Sequence, residues 1–170
     1  MMIIKLQIQL LAGLHAKEEW SCTLEIEEAT SLADLHNEIQ KAVKFADDHL
    51  FDFFISSMAF GSERIYFDES EHSLETKLTD IFPLQKNRKL FYWFDFGDDW
   101  IFRVSKTRHK AKLAIANQSY PLIVSESGNK PEQYPDVDWQ HMPTRVFKTD
   151  KLQLAFCSCL TYFSQLQFTA

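Results

Sequence analysis

The chain has 170 residues and a mass of 19.9 kDa, a size at which a single hydrophobic core is usual. It carries 18 Lys and Arg against 24 Asp and Glu, and this formal charge of −6 argues against a general nucleic-acid-binding protein. With 45% hydrophobic and 25% charged residues, the composition is that of a folded domain rather than a disordered chain. We therefore predict one domain over residues 1–170.

The first residues alternate between apolar and polar from residue 4 to residue 10, so they lack the unbroken apolar run of a signal peptide. Nowhere does an apolar stretch reach the roughly 20 residues that cross a bilayer. Cys22, Cys157 and Cys159 have neither the spacing of a disulfide framework nor a complete set of zinc ligands. We expect a cytoplasmic protein with reduced thiols and no membrane partner.

Two segments near the start of the chain have the period of two that is typical of half-buried strands. Residues 4–10 place Ile and Leu on one face and Lys and Gln on the other, and residues 20–26 repeat the pattern. A polar loop containing Gly13 separates them. This arrangement predicts an antiparallel hairpin.

The period then changes to that of an amphipathic helix over residues 32–43. The apolar positions recur at intervals of three and four: Leu32, Leu35, Ile39, Ala42 and Val43. Thr30 or Ser31 is suited to cap this helix, and Ser31 with Asp34 resembles a capping box with a shorter acid.

The remaining segments predict more strands and little helix. Strand-like segments are 50–57, 64–68, 89–94, 100–104 and 120–124, with a short helical turn at 78–82 ended by Pro83. Residues 89–94 are continuously apolar, as in a central strand covered on both faces. Residues 125–143 hold three of the five prolines and predict an ordered loop, and residues 151–168 predict a C-terminal helix.

The order of these elements predicts an α+β fold with a ββαβ, β-grasp-like start. We expect a mixed or antiparallel sheet with one main amphipathic helix on one face, plus the C-terminal helix.

The most distinctive segment is residues 92–100, where Asp95, Asp98 and Asp99 fall within five positions bounded by aromatic residues. Gly97 and the aspartates are typical of a hairpin turn, since Asp side chains bond neighbouring amides there. The same carboxylates could alternatively hold a hard cation or act as an acid and a base. We favour the structural interpretation and assign no catalytic residue.

This segment resembles the signature of the Ri-plasmid open-reading-frame-three-like proteins, whose relatives include TnpR-type passenger proteins of insertion elements. The resemblance rests on Tyr92 followed by Asp95-Phe96-Gly97-Asp98-Asp99-Trp100, and on Leu35-His36, Ile39-Gln40, His49-Leu50 and Phe53 upstream. It covers residues 3 to 135 and leaves 136–170 as an extension. It implies a small α+β fold and an association with plasmids and transposons, without implying recombination chemistry.

The chain departs from that family pattern at three places. Phe51 and Phe102 stand where the family usually has His or a polar residue, and residues 129–133 replace a stretch that contains cysteine. Each change removes an imidazole or soft ligand for a transition metal. We therefore expect no zinc and no other cofactor.

Two histidines join the carboxylates as candidate binding residues. His36 lies at the edge of the apolar face of the helix, where we expect a hydrogen bond to a backbone carbonyl. His49 follows two aspartates, which predicts either a local contact with a carboxylate or a capped turn. The candidate binding set is His36, His49, Tyr92, Asp95, Asp98, Asp99 and Trp100.

Three classes of function remain open. The favoured one is a non-enzymatic binding module that meets an unknown protein or small ligand through aromatic residues, namely Trp93, Phe94, Phe96 and Trp100. In this interpretation Tyr92 and Trp100 also anchor the core, which leaves the carboxylates at the rim of a cleft. One alternative is a metal-assisted hydrolase or nuclease using the three carboxylates. The other is an accessory nucleic-acid-binding factor of mobile elements, using the patch Lys106, Arg108, Lys110 and Lys112.

Overall fold

The structure is a computed structural model, and it describes residues 1–68 and 73–135. The predicted C-terminal helix at 151–168 and the extension at 136–170 lie outside the described residues. Within them, the strands are β1 Met2–Ala12, β2 Ser21–Glu27, β3 Phe51–Ser56, β4 Ile65–Phe67, β5 Lys89–Phe94, β6 Trp100–Lys106, β7 Lys112–Leu113 and β8 Leu122–Ser127. The helices are α1 Leu32–Val43 and α2 Leu78–Ile81, with a 3-10 turn at Ser73–Glu75.

The strands form one antiparallel sheet in the order β4-β3-β5-β6-β1-β2-β8, and β7 pairs with β1. Hairpins join β1 to β2, β3 to β4 and β5 to β6. The long helix α1 packs on one face, which we call the helix face, and we call the opposite side the open face. This sheet with one main helix confirms the predicted α+β fold class.

The start of α1 agrees with the predicted cap. Ser31 Oγ accepts a hydrogen bond from the backbone N–H of Asp34 at 3.1 Å, and the two side chains meet at 2.7 Å. The helix ends at Lys44, which is left-handed with φ 64° and donates its N–H to Gln40 O. The chain thus turns sharply after α1 and enters the loop that carries Asp47, Asp48 and His49.

The main core lies between α1 and the helix face, and the strand alternation explains its membership. The fully buried large side chains on this face include Ile4, Leu6, Ile8, Trp20, Phe53, Tyr92, Phe94, Trp100 and Phe102. A smaller apolar cluster of Phe54, Phe91 and Ile101 lies on the open face. Burial on both sides of β5 confirms its prediction as a central strand.

The C-terminal end of the sheet differs from the prediction. Strand β8 runs from Leu122 to Ser127 rather than over 120–124, so the loop expected from Ser125 begins only after Ser127. The reason is tertiary, because β2 pairs along this whole segment, from Glu25 with Leu122 to Ser21 with Ser127. Pro121 has no N–H to contribute to such a ladder.

Neither α1 nor α2, the helices of the described residues, is long and apolar enough to cross a membrane.

Candidate functional site

The acidic segment closes the β5–β6 hairpin, as predicted. The last pair of the ladder is Phe94 with Trp100, and the chain reverses over residues 95–99. Asp95 has a φ of 53°, and its Oδ1 accepts hydrogen bonds from the backbone N–H of Gly97 at 3.0 Å and of Asp98 at 3.3 Å. The Asp95 side chain is therefore part of the turn itself.

The three carboxylates of the turn point to different partners. Asp98 approaches His15 at 3.8 Å, and Asp99 Oδ1 accepts a hydrogen bond from the Trp93 indole at 3.1 Å. Asp95 is held by the turn amides. Across residues 1–68 and 73–135, no group of three or more His, Cys, Asp or Glu side chains is placed to hold a metal ion. The geometry does not favour a joint cation site at the turn.

A chain of polar side chains runs from the core to the surface beneath α1. Gln40 Nε2 donates to the Tyr92 hydroxyl at 2.7 Å, and this hydroxyl lies 2.7 Å from His36 Nδ1. His36 Nε2 in turn lies 3.0 Å from Asp47 Oδ1. The His36 ring stacks on Phe51 with centroids 3.6 Å apart. We call Gln40, Tyr92, His36 and Asp47 the buried polar chain.

The buried polar chain is arranged for structure rather than for nucleophilic chemistry. Tyr92 is fully buried, and burial holds its pKa well above the ordinary value of 10. A phenol that keeps its proton and has no access to solvent is a poor nucleophile. The side chain that reaches solvent is Asp47, which is 53% exposed. His36 therefore contacts two side chains, those of Tyr92 and Asp47, where the sequence suggested a hydrogen bond to a backbone carbonyl.

His49 lies at the surface in a second group of polar side chains. Its Nε2 is 2.8 Å from the Tyr134 hydroxyl, 3.5 Å from Asp95 Oδ2 and 3.7 Å from Asp48 Oδ1. Tyr134 donates to Asp48 Oδ2 at 2.8 Å. We call this group the His49 cluster, and in it His49 lies near two carboxylates, which is one of the two arrangements that its sequence neighbours suggested.

Hydrogen bonding also perturbs the acidity of the His49 cluster. Loss of hydration, the hydrogen bond to Asp48 and the nearby negative charges raise the pKa of Tyr134 to about 12. The hydrogen bond from Tyr134 lowers the pKa of Asp48. Tyr134 thus stays protonated and Asp48 stays ionised near neutral pH. The hydrogen bonds of Tyr134 connect the loop after α1 with the segment around residue 134.

Some members of these groups were not predictable from local sequence patterns. Gln133 and Tyr134 are about 85 residues from their partners, and both fall in the stretch predicted as a loop. Gln133 is buried, and its Oε1 accepts a hydrogen bond from the backbone of Ala46 at 2.6 Å. The aspartates beside His49 are the one local hint, because they suggest a carboxylate contact without identifying its distant partner.

The expected aromatic surface is smaller than predicted. Phe94 and Trp100 are fully buried, because alternation points both to the helix face, and the prediction that they contact a partner is wrong. Tyr92 and Trp100, the two predicted core anchors, are both fully buried. Trp93 and Phe96 lie outside that core, with ring centroids 4.6 Å apart, and Phe96 is 42% exposed.

A cation completes this aromatic group on the open face. The Arg64 guanidinium lies 4.3 Å from the centroid of the Phe54 ring and 5.2 Å from that of Trp93. We call Phe54, Arg64, Trp93 and Phe96 the aromatic corner. Arg64 was not among the predicted site residues, because it is far from Trp93 in sequence and no local pattern indicates their contact.

One member of the predicted basic patch forms an ion pair within the protein. Lys106, Arg108 and Lys110 are exposed, whereas Lys112 Nζ contacts Glu25 Oε1 at 2.7 Å. Lys5 approaches the same carboxylate at 3.4 Å. The charge of Lys112 is therefore largely balanced within the protein.

Comparisons with known proteins agree with this fold. A crystal structure of a protein of unknown function, MM3350 from Methanosarcina mazei Go1, is similar with a TM-score of 0.59 and 22% identity, over 74% of this chain and 69% of that one. No curated protein matches the chain significantly. The sequence profile described as plasmid pRiA4b ORF-3-like protein matches residues 3–138, nearly the range on which the turn and helix motifs already suggested a resemblance. The chain belongs to the plasmid pRiA4b ORF-3-like protein family.

Proposed function

We propose that this protein is a binding module that contacts a protein partner through the aromatic corner and breaks no bonds. The observation that carries the proposal is the stack of Arg64 on Phe54 and Trp93, with Phe96 beside it at the surface. Trp and Arg are the residues that most often dominate the free energy of protein–protein binding.

The aromatic corner is held in place before any partner arrives. Arg64 Nη2 donates to Ala59 O at 2.8 Å and Arg64 Nε donates to Gly61 O at 3.1 Å, so the guanidinium is fixed over the rings. Trp93 is fixed from the other side by its indole hydrogen bond to Asp99. Such preorganisation lowers the entropy lost on binding, since these side chains do not need to be ordered again.

The loop fixed by Arg64 adds exposed apolar area. Met58 is 63% exposed and Phe60 is 69% exposed. Aromatic residues, Met and Arg are enriched in the centres of protein interfaces, whereas Lys and Glu are depleted there. We therefore infer a partner that contributes an apolar side chain to this corner.

The site geometry gives less support to the other two functions. The three carboxylates of the turn are used by separate partners, and both tyrosine hydroxyls near the histidines keep their protons. In the basic patch, Lys112 forms an ion pair with Glu25, which balances its charge. The two alternative functions, a metal-assisted hydrolase and an accessory nucleic-acid-binding factor, remain predictions made from the sequence.

Site-specific photo-crosslinking tests the proposal. A photoreactive phenylalanine analogue at position 96 should give a discrete crosslinked protein in cells, whereas the same analogue at Leu113, which is 73% exposed, should not. With the purified partner, Trp93→Ala and Phe96→Ala should each weaken binding at least about tenfold, because aromatic residues that are hot spots of an interface contribute about 2 kcal/mol or more, and Leu113→Ala should not. Equal crosslinking at both positions, or none at position 96, would contradict the proposal.

A further inference from the structure

The end of the β5–β6 hairpin that lies far from the acidic turn forms an open cleft of about 380 Å³. One wall is the segment 82–84 that follows α2, and the other is the end of β6, where Ser105 and Thr107 are among the lining residues. A volume of this size is within the range of small-molecule sites. The cleft lies on a different part of the sheet from the aromatic corner.

Three cations line this cleft, namely Arg88, Lys89 and Lys106. No carboxylate is among the lining residues within the part of the chain that the structure describes. Outside the cleft, the Glu63 carboxylate lies 3.5 Å from Arg88, but it is 84% exposed, so this ion pair contributes little. The positive charge of the cleft therefore contrasts with the net charge of −6 of the chain.

The end of the β5–β6 hairpin places two of these cations near each other. The ladder ends at the pair Leu90 with Val104, and Arg88 and Lys106 lie two residues beyond that pair on the two sides of the hairpin. Like charges that lie close together repel. A bound anion between the two side chains would remove this repulsion and would gain charge-assisted hydrogen bonds.

We propose that this cleft binds the phosphate group of a small organic phosphate ester. Arg88 and Lys106 hold the phosphate oxygens from the two sides of the hairpin end, and Lys89 adds a third positive charge at the rim. The organic part of the ligand lies against Phe82 and Leu84, which form the apolar side of the cleft. A mononucleotide and the terminal nucleotide of a nucleic-acid strand present this same chemistry.

Calorimetric titration with three probes tests the proposal: inorganic phosphate, adenosine monophosphate and a single-stranded DNA of about twelve nucleotides. Adenosine monophosphate should bind saturably and more tightly than inorganic phosphate. The double variant Arg88→Gln with Lys106→Gln should weaken its binding at least about tenfold, since each lost charged hydrogen bond is strong. Lys110→Gln, an exposed lysine outside the cleft, is the matched control and should bind as the wild type does.

The outcomes separate the sources of the phosphate. Tighter binding of DNA that still depends on Arg88 and Lys106 supports the site with a strand end as its ligand. Binding of DNA without binding of adenosine monophosphate, or equal binding by the wild type and the double variant, overturns the proposal. If the double variant does not fold, Lys89→Gln and Lys106→Gln are measured singly, and unchanged affinity in both also overturns it.

Discussion

The Tyr92 hydroxyl in the middle of the sheet lies 2.7 Å from Nδ1 of His36 on α1, across 56 positions of sequence. Because Gln40 donates to the same oxygen, the hydroxyl proton is directed to His36 Nδ1. In the neutral form of the imidazole, this arrangement places the proton on Nε2, which lies 3.0 Å from Asp47 Oδ1. One line of hydrogen bonds thus connects the sheet, the helix and the loop that follows the helix.

Tyr92→Phe should destabilise the protein by about 1–3 kcal/mol, because it removes the buried hydroxyl that accepts a hydrogen bond from Gln40 Nε2 and lies 2.7 Å from His36 Nδ1. Urea unfolding followed by circular dichroism measures this change. Tyr66→Phe is the matched control, since Tyr66 is 44% exposed and its hydroxyl can be replaced by water. Equal free energies of unfolding for the two variants would show that the buried polar chain adds no stability.

Within the acidic turn, only the Asp95 side chain should matter for folding. Asp95→Ala loses the hydrogen bonds to two backbone amides and places alanine at a positive φ, which together should cost about 1–3 kcal/mol. Asp98→Asn and Asp99→Asn should each change the free energy of unfolding by less than about 0.5 kcal/mol. Thermal unfolding of the three variants tests the ranking, and a larger loss for Asp98→Asn would reverse our assignment of roles.

Gly13 and Trp100 should show strong coupling. A Cβ at position 13 would lie 2.3 Å from the Trp100 ring, so Gly13→Ala should cost about 1–3 kcal/mol by overpacking. Trp100→Ala should cost about 3–5 kcal/mol, because it removes a large buried side chain. In the double variant the clash is absent. Its loss of unfolding free energy should therefore be smaller than the sum of the losses in the two single variants. Strict additivity in a double-mutant cycle would contradict the close contact.

Acid should weaken the protein partly through Glu25. The hydrogen bond from Lys112 lowers the pKa of this carboxyl below its ordinary value of 4.5. Its contribution to stability is therefore complete above pH 4.5 and is lost as the pH falls towards the lowered pKa of the folded state. Unfolding free energies between about pH 7 and pH 3 should fall less steeply in Glu25→Gln and in Lys112→Gln than in the wild type. An unchanged slope in both variants would exclude this ion pair as a source of acid sensitivity.

Cys22 should be unreactive in the folded protein. Burial raises the pKa of its thiol to about 12, so the thiolate is scarce near neutral pH as well as shielded from solvent. In a chain that carries Cys157→Ser and Cys159→Ser, alkylation by iodoacetamide at about pH 8 should proceed only as fast as the protein opens. Rapid labelling without denaturant would show that β2 is more accessible than the structure indicates.

The elements with a clear period were predictable, and those fixed by a partner were not. Both strands of the first hairpin, α1 with its Ser31 cap, and the central strand β5 all lie where their patterns indicate. The extent of β8 did not follow from its own residues, because pairing with β2 carries it to Ser127. The alternation of the strands would have placed Phe94 and Trp100 in the core. The many aromatic residues of the motif led instead to the prediction that both lie on a binding surface.

The candidate site shows the same division. His36, His49, Tyr92 and Asp95 were all singled out from the sequence, and the fold brings them into two adjoining hydrogen-bonded groups. Their partners Gln133 and Tyr134 were missed, since no local spacing relates residues so far apart. Arg64 was missed for the same reason, although it completes the aromatic corner.

The amino-acid sequence alone determined which segments are strands and helix and where the acidic turn lies, because periodicity and turn chemistry act over a few residues. Only the tertiary structure decided which side chains meet. Packing turned Asp95 to the turn amides and joined Tyr92 to His36, while the fold brought Arg88 and Lys106 to the lining of one cleft. Contacts of this kind depend on the order and register of the whole sheet, which no single segment specifies.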